Sequence, residues 1–145
     1  MNAATLDLGG DDLLRLVAPP SRYPGGPCAT EPGSPFCQAA IQEALASFAA
    51  HDTVILQTLT PALQSEPGAP RLVVLTYYNP WSGAGSRFEA VVDRALLGSD
   101  GVVDCAANAA DPAKAGLNDL IVCGGQQHGA LIADLYPRFR ARGWR

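Results

Sequence analysis

The chain has 145 residues, with 14 acidic and 10 basic side chains and 48% hydrophobic residues. A chain of this length buries about two thirds of its unfolded surface in one core, so we expect a single domain over residues 1–145. The net charge of -4 gives no electrostatic basis for binding nucleic acid or anionic lipid, and no apolar run approaches the roughly 20 residues that cross a bilayer.

The first predicted elements are a short strand and a short helix joined by a glycine turn. Residues 4–8 form an apolar run that stops at Gly9 and Gly10, and the leucines that follow have helical spacing up to the two prolines at 19–20. The proline-rich stretch 21–34 shows no periodicity, which predicts a loop.

The longest predicted helix begins at Pro35, with Ser34 as its N-terminal cap. Apolar residues then recur at helical spacing from position 41 to position 63, and Asp52 is the only break in this stripe. The helix is expected to end at residues 66–68, where the sequence reads Glu-Pro-Gly.

Two further strands and two further helices follow. Residues 71–78 (RLVVLTYY) are apolar on both faces, which is typical of a central parallel strand covered by helices on each side. After the loop 79–85, Ser86 and Glu89 are expected to form a capping box for a helix that ends at Gly98. A helix over 117–124 and a strand over 130–135 complete the pattern.

Strands that alternate with helices predict an α/β domain with a parallel sheet. Ligands of such domains bind beyond the carboxyl ends of the strands. Residues 9–12, 77–81 and 134–137 should therefore lie along one edge of the sheet, and this edge is the expected site.

The four cysteines lie in two irregular stretches, one holding Cys28 and Cys37 and the other Cys105 and Cys123. None has the C-x-x-C spacing of zinc sites or thioredoxin-like redox pairs. Of the three possible connectivities we expect the local one, 28 with 37 and 105 with 123, in which each bridge stabilises the fold by about 2–4 kcal/mol. Persistent disulfides indicate an oxidising compartment, so we expect a secreted protein; the alternative is four buried free thiols.

The sequence does not match the glycine patterns that are typical of nucleotide-cofactor sites. Residues 83–88 begin a G-x-G-x-x-G pattern, but Phe88 occupies the third glycine position, and no P-loop pattern is present. His51 is expected on the solvated flank of the long helix, and His128 at a helix end, where a polar group suits the negative end of the helix dipole. We therefore expect neither a cofactor nor a metal.

Two adjacent carboxylates follow the first glycine turn. Asp11 and Asp12 stand where a strand passes into a helix, so they could bind a cation or accept hydrogen bonds from the first N–H groups of the helix. For Asp12 we favour the capping role.

Four segments together resemble the SGNH (GDSL-type) hydrolases, a family of secreted esterases and lipases. Residues 5–16 (TLDLGGDDLLRL) resemble the family's third block, an apolar strand followed by Gly-x-Asn-Asp. Residues 75–81 (LTYYNPW) are similar to its later strand and loop, residues 116–123 (GLNDLIVC) to its cysteine-bearing helix, and residues 133–139 (ADLYPRF) to the strand before its last catalytic block.

The resemblance implies a three-layer α/β/α fold, flavodoxin-like in outline. It also implies carboxylic-ester hydrolysis by a nucleophilic serine, with a histidine as base and an aspartate that orients it. The family carries its serine in a Gly-Asp-Ser block before the glycine block and its Asp-x-x-His pair after the final strand. This sequence contains neither block, so it resembles the middle of a hydrolase, truncated at both ends.

Gly9, Gly10 and Asp11 match the family's oxyanion-side turn, but Asp11 replaces the asparagine that donates an N–H to the oxyanion. An ionised carboxylate only accepts hydrogen bonds, and the loss of one oxyanion donor costs about 2.7–4 kcal/mol of transition-state stabilisation. We therefore expect this chain to be inactive on its own.

Three hypotheses remain open. The first is a fragment of a secreted ester hydrolase whose partner is a small-molecule ester, with self-association through an exposed sheet edge. The second is a non-catalytic secreted binding module with a degenerate hydrolase fold. The third is a cytosolic α/β protein with free cysteines.

Overall fold

A computed structural model describes residues 2–17 and 26–140. The predicted helix stop at 19–20 and the first part of the predicted loop 21–34 lie outside the described residues. Within these ranges the chain forms three strands, seven α-helices and one short 3-10 helix. Their bounds are β1 Ala3–Leu6, α1 Gly10–Val17, α2 Pro27–Thr30, α3 Pro35–Ser65, β2 Arg71–Leu75, α4 Glu89–Leu97, α5 Cys105–Ala110, the 3-10 helix Pro112–Lys114, α6 Leu117–Gln127, β3 Leu131–Ala133 and α7 Tyr136–Arg140.

The three strands form one parallel sheet in the order β1-β2-β3. The register places Ala3 opposite Arg71 and Val73 opposite Leu131. The predicted α/β class with a parallel sheet is therefore confirmed, and β2 is the central strand.

The central strand is three residues shorter than predicted. Beyond Leu75, the backbone of Tyr77 bonds to a side chain: its N–H donates to Asn118 Oδ1 and its carbonyl accepts from Asn118 Nδ2, both at 2.8 Å. Because Asn118 takes the hydrogen-bonding groups that a strand ladder would use, β2 ends early.

Helix α3 begins as predicted. The Ser34 hydroxyl accepts a hydrogen bond from the Cys37 N–H at 3.2 Å, and Pro35 occupies the first position, where no N–H is needed. The predicted stripe is buried at Leu45 and Asp52. At the next turn Leu56 is buried rather than Ile55, which remains half-buried.

Helices α3 and α6 cover the same face of the sheet. A Cβ atom at Gly125 of α6 would lie 2.8 Å from Val74 of β2, and one at Gly124 would lie 3.2 Å from Leu56 of α3. Leu72 and Val74 are buried under these helices, while Val73, on the opposite face, is only half-buried. Burial along β2 thus alternates, unlike the continuous burial expected of a strand covered on both sides.

The predicted capping box before α4 is wrong. The helix begins at Glu89, and Ser86 Oγ accepts from the N–H of Phe88. The Glu89 carboxylate accepts from the Gly83 N–H at 2.7 Å, so it stabilises the preceding loop and does not turn back to the start of the helix.

Both predicted disulfides are present, and all four cysteines are paired. Cys28–Cys37 joins α2 to the start of α3, and Cys105–Cys123 joins α5 to α6. The prediction of a loop throughout 21–34 is wrong at α2, which is too short to show a helical repeat in its sequence.

Candidate functional site

The carboxyl edge of the sheet borders an apolar cavity of about 500 Å³. It lies where β1 and β2 end, which is where ligands of parallel α/β domains are expected. Its walls come from the first turn and helix and from the loop after β2: Gly10, Leu13, Leu14, Tyr77, Tyr78, Pro80 and Trp81.

The floor of the cavity consists of core side chains. Ile41 comes from α3 and Leu117 from α6, and helix α4 contributes Val92, Ala95 and Leu96. An apolar side chain that faces a cavity follows the same helical repeat as one that faces another helix, so the sequence pattern alone does not distinguish the two.

Two of the three predicted edge segments form this cavity. The third, 134–137, is at the same edge but does not line it. Asp134 instead accepts a hydrogen bond from the Thr76 hydroxyl at 2.8 Å, and the Tyr136 hydroxyl donates to Asp93 at 2.9 Å. These bonds join the end of β3 to β2 and α4.

Gly9 and Gly10 are required by close packing at the turn. Gly9 has a φ of 95°, and a Cβ there would lie 2.7 Å from the Phe48 ring and 2.9 Å from Leu117. A Cβ at Gly10 would collide with the ring of Tyr77. The two glycines therefore let the turn approach α3, α6 and the cavity wall.

Asp11 and Asp12 are exposed in the first turn of α1, which begins at Gly10. Asp12 therefore does not occupy the cap position proposed for it; the helix starts two residues earlier. In the first turn, both carboxylates interact favourably with the positive end of the helix dipole. Asp11 directly follows the cavity residue Gly10 in the sequence but is not part of the cavity lining.

Tyr77 is a lining residue of the cavity with a neutral phenol. Burial raises the pKa of Tyr77 above its usual value, the nearby Asp7 carboxylate raises it further, and the Gly10 backbone lowers it in part. The sequence did not predict this neutral phenol in the cavity wall.

The described residues that line the cavity include no serine, cysteine or histidine, the usual nucleophiles and bases of hydrolases. His51 is exposed on α3, and His128 is the C-terminal cap of α6. In the described part of the chain, no group of three or more His, Cys, Asp or Glu side chains is placed to hold a metal ion.

Across residues 2–17 and 26–140, no helix combines the length and hydropathy that crossing a bilayer requires.

Comparison with known proteins gives no match. No protein-family profile matches the chain, and neither a curated protein nor a solved structure is significantly similar to it. The sequence motifs and the geometry described above are therefore the basis for any functional inference.

Proposed function

We propose that the chain is an SGNH hydrolase-like domain whose cavity binds the apolar part of a carboxylic ester, and that this chain binds the ligand without hydrolysing it. One observation carries the proposal. The 500 Å³ apolar cavity is lined in part by Gly10, which lies between Gly9 and Asp11 in the turn that the motif resemblance assigns to the oxyanion side of an ester site.

The size and lining of the cavity support binding of an alkyl or acyl chain. Leu13, Leu14 and Trp81 offer apolar surface on several sides, and burying one CH₂ group contributes about 0.8 kcal/mol. For a ligand of about ten heavy atoms at roughly 0.5 kcal/mol per atom, we expect a dissociation constant on the order of 0.1–1 mM.

The residues of the glycine turn and of the cavity lining support the absence of ester hydrolysis. Ester hydrolysis of the serine type needs a nucleophile, a base and donors for the oxyanion. Asp11 offers acceptors only, and the described cavity lining contains neither a serine nor a histidine.

Octanamide, a neutral ligand without an ester bond, tests the binding half of the proposal by isothermal titration calorimetry on the full chain. Trp81→Ala should weaken binding at least fivefold, because it removes a large apolar wall of the cavity. Val102→Ala is the control, since Val102 is exposed and does not line the cavity. Equal affinities of the parent chain and Trp81→Ala would contradict the assignment of the cavity as the site.

p-Nitrophenyl octanoate tests the second half of the proposal, that the chain does not hydrolyse esters. We expect nitrophenol release at the buffer rate and no covalent adduct with an organophosphonate probe. Release above that rate, together with labelling of the chain by the probe, would show that a nucleophile is present.

A second candidate is a stand-alone, non-catalytic binding module with the same fold. The two disulfides favour it, because each restricts the unfolded chain and so stabilises the folded one. For both candidates we propose an extracellular location and an α/β/α arrangement in which a further layer covers the half-buried face of the sheet. A monodisperse monomer in solution supports the module, while self-association through a sheet edge supports the hydrolase fragment.

A further inference from the structure

We infer that Asn79 is a positioning residue of the cavity: it does not line the cavity, but it holds Trp81 of the cavity wall against helix α4. The inference rests on the proposed function in that the cavity is the ligand site. It adds a residue outside the lining on which the affinity for the ligand depends.

Asn79 belongs to the loop after β2, which supplies one wall of the cavity. Of the consecutive residues 77–81, Tyr77, Tyr78, Pro80 and Trp81 line the cavity and Asn79 does not. Asn79 is nevertheless only 3% exposed. A buried amide needs hydrogen-bond partners, so the partners of Asn79 show what holds this loop in place.

The Asn79 side chain joins the loop to α4. Its Oδ1 accepts a hydrogen bond from the backbone N–H of Trp81 at 2.9 Å. Its Nδ2 donates to the backbone carbonyl of Glu89 and to Asp93 Oδ1, each at 2.9 Å. Helix α4 also lines the cavity, through Val92 among others, so one side chain connects two of the cavity walls. An aspartate at position 79 would lack the N–H groups for both bonds to α4.

Other contacts brace the same junction. Asp93 Oδ1 also accepts a hydrogen bond from the Tyr136 hydroxyl at 2.9 Å, which ties α7 to the network. The Trp81 ring packs against Phe88, which directly precedes α4, with ring centroids 6.0 Å apart. Both the backbone and the ring of Trp81 are therefore held from the start of α4.

This arrangement orders the cavity wall before a ligand binds. If Trp81 were mobile in the free chain, binding would have to order it, and the cost for one bulky side chain weakens affinity by about two- to tenfold. Asn79→Ala removes the bond to the Trp81 N–H and both bonds to α4. We therefore expect this variant to bind octanamide about threefold more weakly than the parent chain.

A double-mutant cycle measured by isothermal titration calorimetry with octanamide tests the inference. Residues that act through each other have non-additive effects. Asn79→Ala should therefore weaken binding in the parent chain but have no further effect in the Trp81→Ala chain. Equal weakening in both backgrounds would show that Asn79 does not act through Trp81, and would overturn the inference.

Tryptophan fluorescence without ligand gives a readout that loss of stability alone does not change. The chain has two tryptophans, so Trp144→Phe leaves Trp81 as the only emitter. In this background Asn79→Ala should move the emission maximum to longer wavelength, because the released ring meets more water. Asn108→Ala is the matched control: Asn108 is a buried asparagine of α5 that does not line the cavity, and its variant should leave both the emission and the affinity unchanged.

If Asn79→Ala does not fold, Asp93→Ala takes its place in the cycle. Asp93 is only half-buried, and its loss leaves Asn79 bonded to the Glu89 carbonyl, so the weakening should be smaller but should again disappear in the Trp81→Ala chain.

The outcomes separate this inference from the proposed function. If Trp81→Ala weakens octanamide binding and a folded Asn79→Ala chain does not, the inference is overturned and the cavity remains the site. If octanamide does not bind the parent chain, or if Trp81→Ala leaves its affinity unchanged, the proposed function fails. The emission spectra then decide whether Asn79 holds Trp81, and an unchanged spectrum of Asn79→Ala would overturn that as well.

Discussion

Replacing Asp52 with asparagine should make the folded chain more stable at neutral pH. Asp52 is 7% exposed and lies in the apolar stripe of α3, against α6. Burial raises its pKa from 3.8 to about 6, and the charge of His128 at the end of α6 lowers it only in part. The folded chain therefore carries a carboxylate in a place that disfavours its charged form.

The magnitude follows from the two pKa values. They differ by about 2 units, which corresponds to about 3 kcal/mol at pH values above both of them. Because the folded state holds the proton more tightly, this contribution to stability is fully present below pH 3.8. It is lost as the pH rises towards 6. Asparagine does not titrate, so the variant should lack this decline and gain about 1–3 kcal/mol at pH 7.5, the lower value allowing for burial of the amide.

Urea unfolding at pH 4, 5, 6 and 7.5, followed by circular dichroism with the disulfides intact, measures this effect. The difference in unfolding free energy between Asp52→Asn and the parent chain should grow between pH 4 and 6 and then level off. Glu43→Gln is the matched control, because Glu43 is exposed on the same helix and its variant should follow the parent curve. Parallel curves for Asp52→Asn and the parent chain would refute the reasoning.

Two other predictions concern a disulfide and the open edge of the sheet at β1. Cys105→Ala/Cys123→Ala should lower the unfolding free energy by about 3 kcal/mol in urea, as expected for a bridge between residues 18 apart, and an unchanged midpoint would contradict this. Within the described residues β1 pairs with β2 alone, so the other edge of β1 is open to pairing and sedimentation velocity should detect self-association. Thr5→Lys should weaken this association, since a lysine on an edge strand disfavours pairing. A parent chain that remains monomeric at all concentrations would contradict the prediction.

The sequence predicted the fold well where the signal is local and long. Helix α3 has a cap at Ser34, a proline at its first position and a stripe that repeats over about six turns, so its start and type were predicted correctly. Helix α2 has four residues and shows no repeat. The end of β2 depends on Asn118, which is 41 positions away in sequence, so no local pattern could indicate it.

The site was predicted in part for a similar reason. Parallel strands bring their carboxyl ends to one edge, which placed residues 9–12 and 77–81 together before any contact was known. The side chains of Thr76 and Asp134 hold the third segment against the sheet, and this pair is 58 positions apart. The effect of Asp7 on the pKa of Tyr77 likewise depends on tertiary structure, because Asp7 follows β1 and Tyr77 follows β2.

Under the proposed function, Asp11 separates hydrolysis from binding. A carboxylate next to a developing oxyanion raises the barrier to ester hydrolysis, since it adds a like charge and provides no donor. The cavity lining is apolar and does not include Asp11, so this residue does not remove the surface that takes an apolar tail. A site with lost hydrolysis and a retained apolar cavity is thus suited to holding the apolar part of an ester without cleaving it.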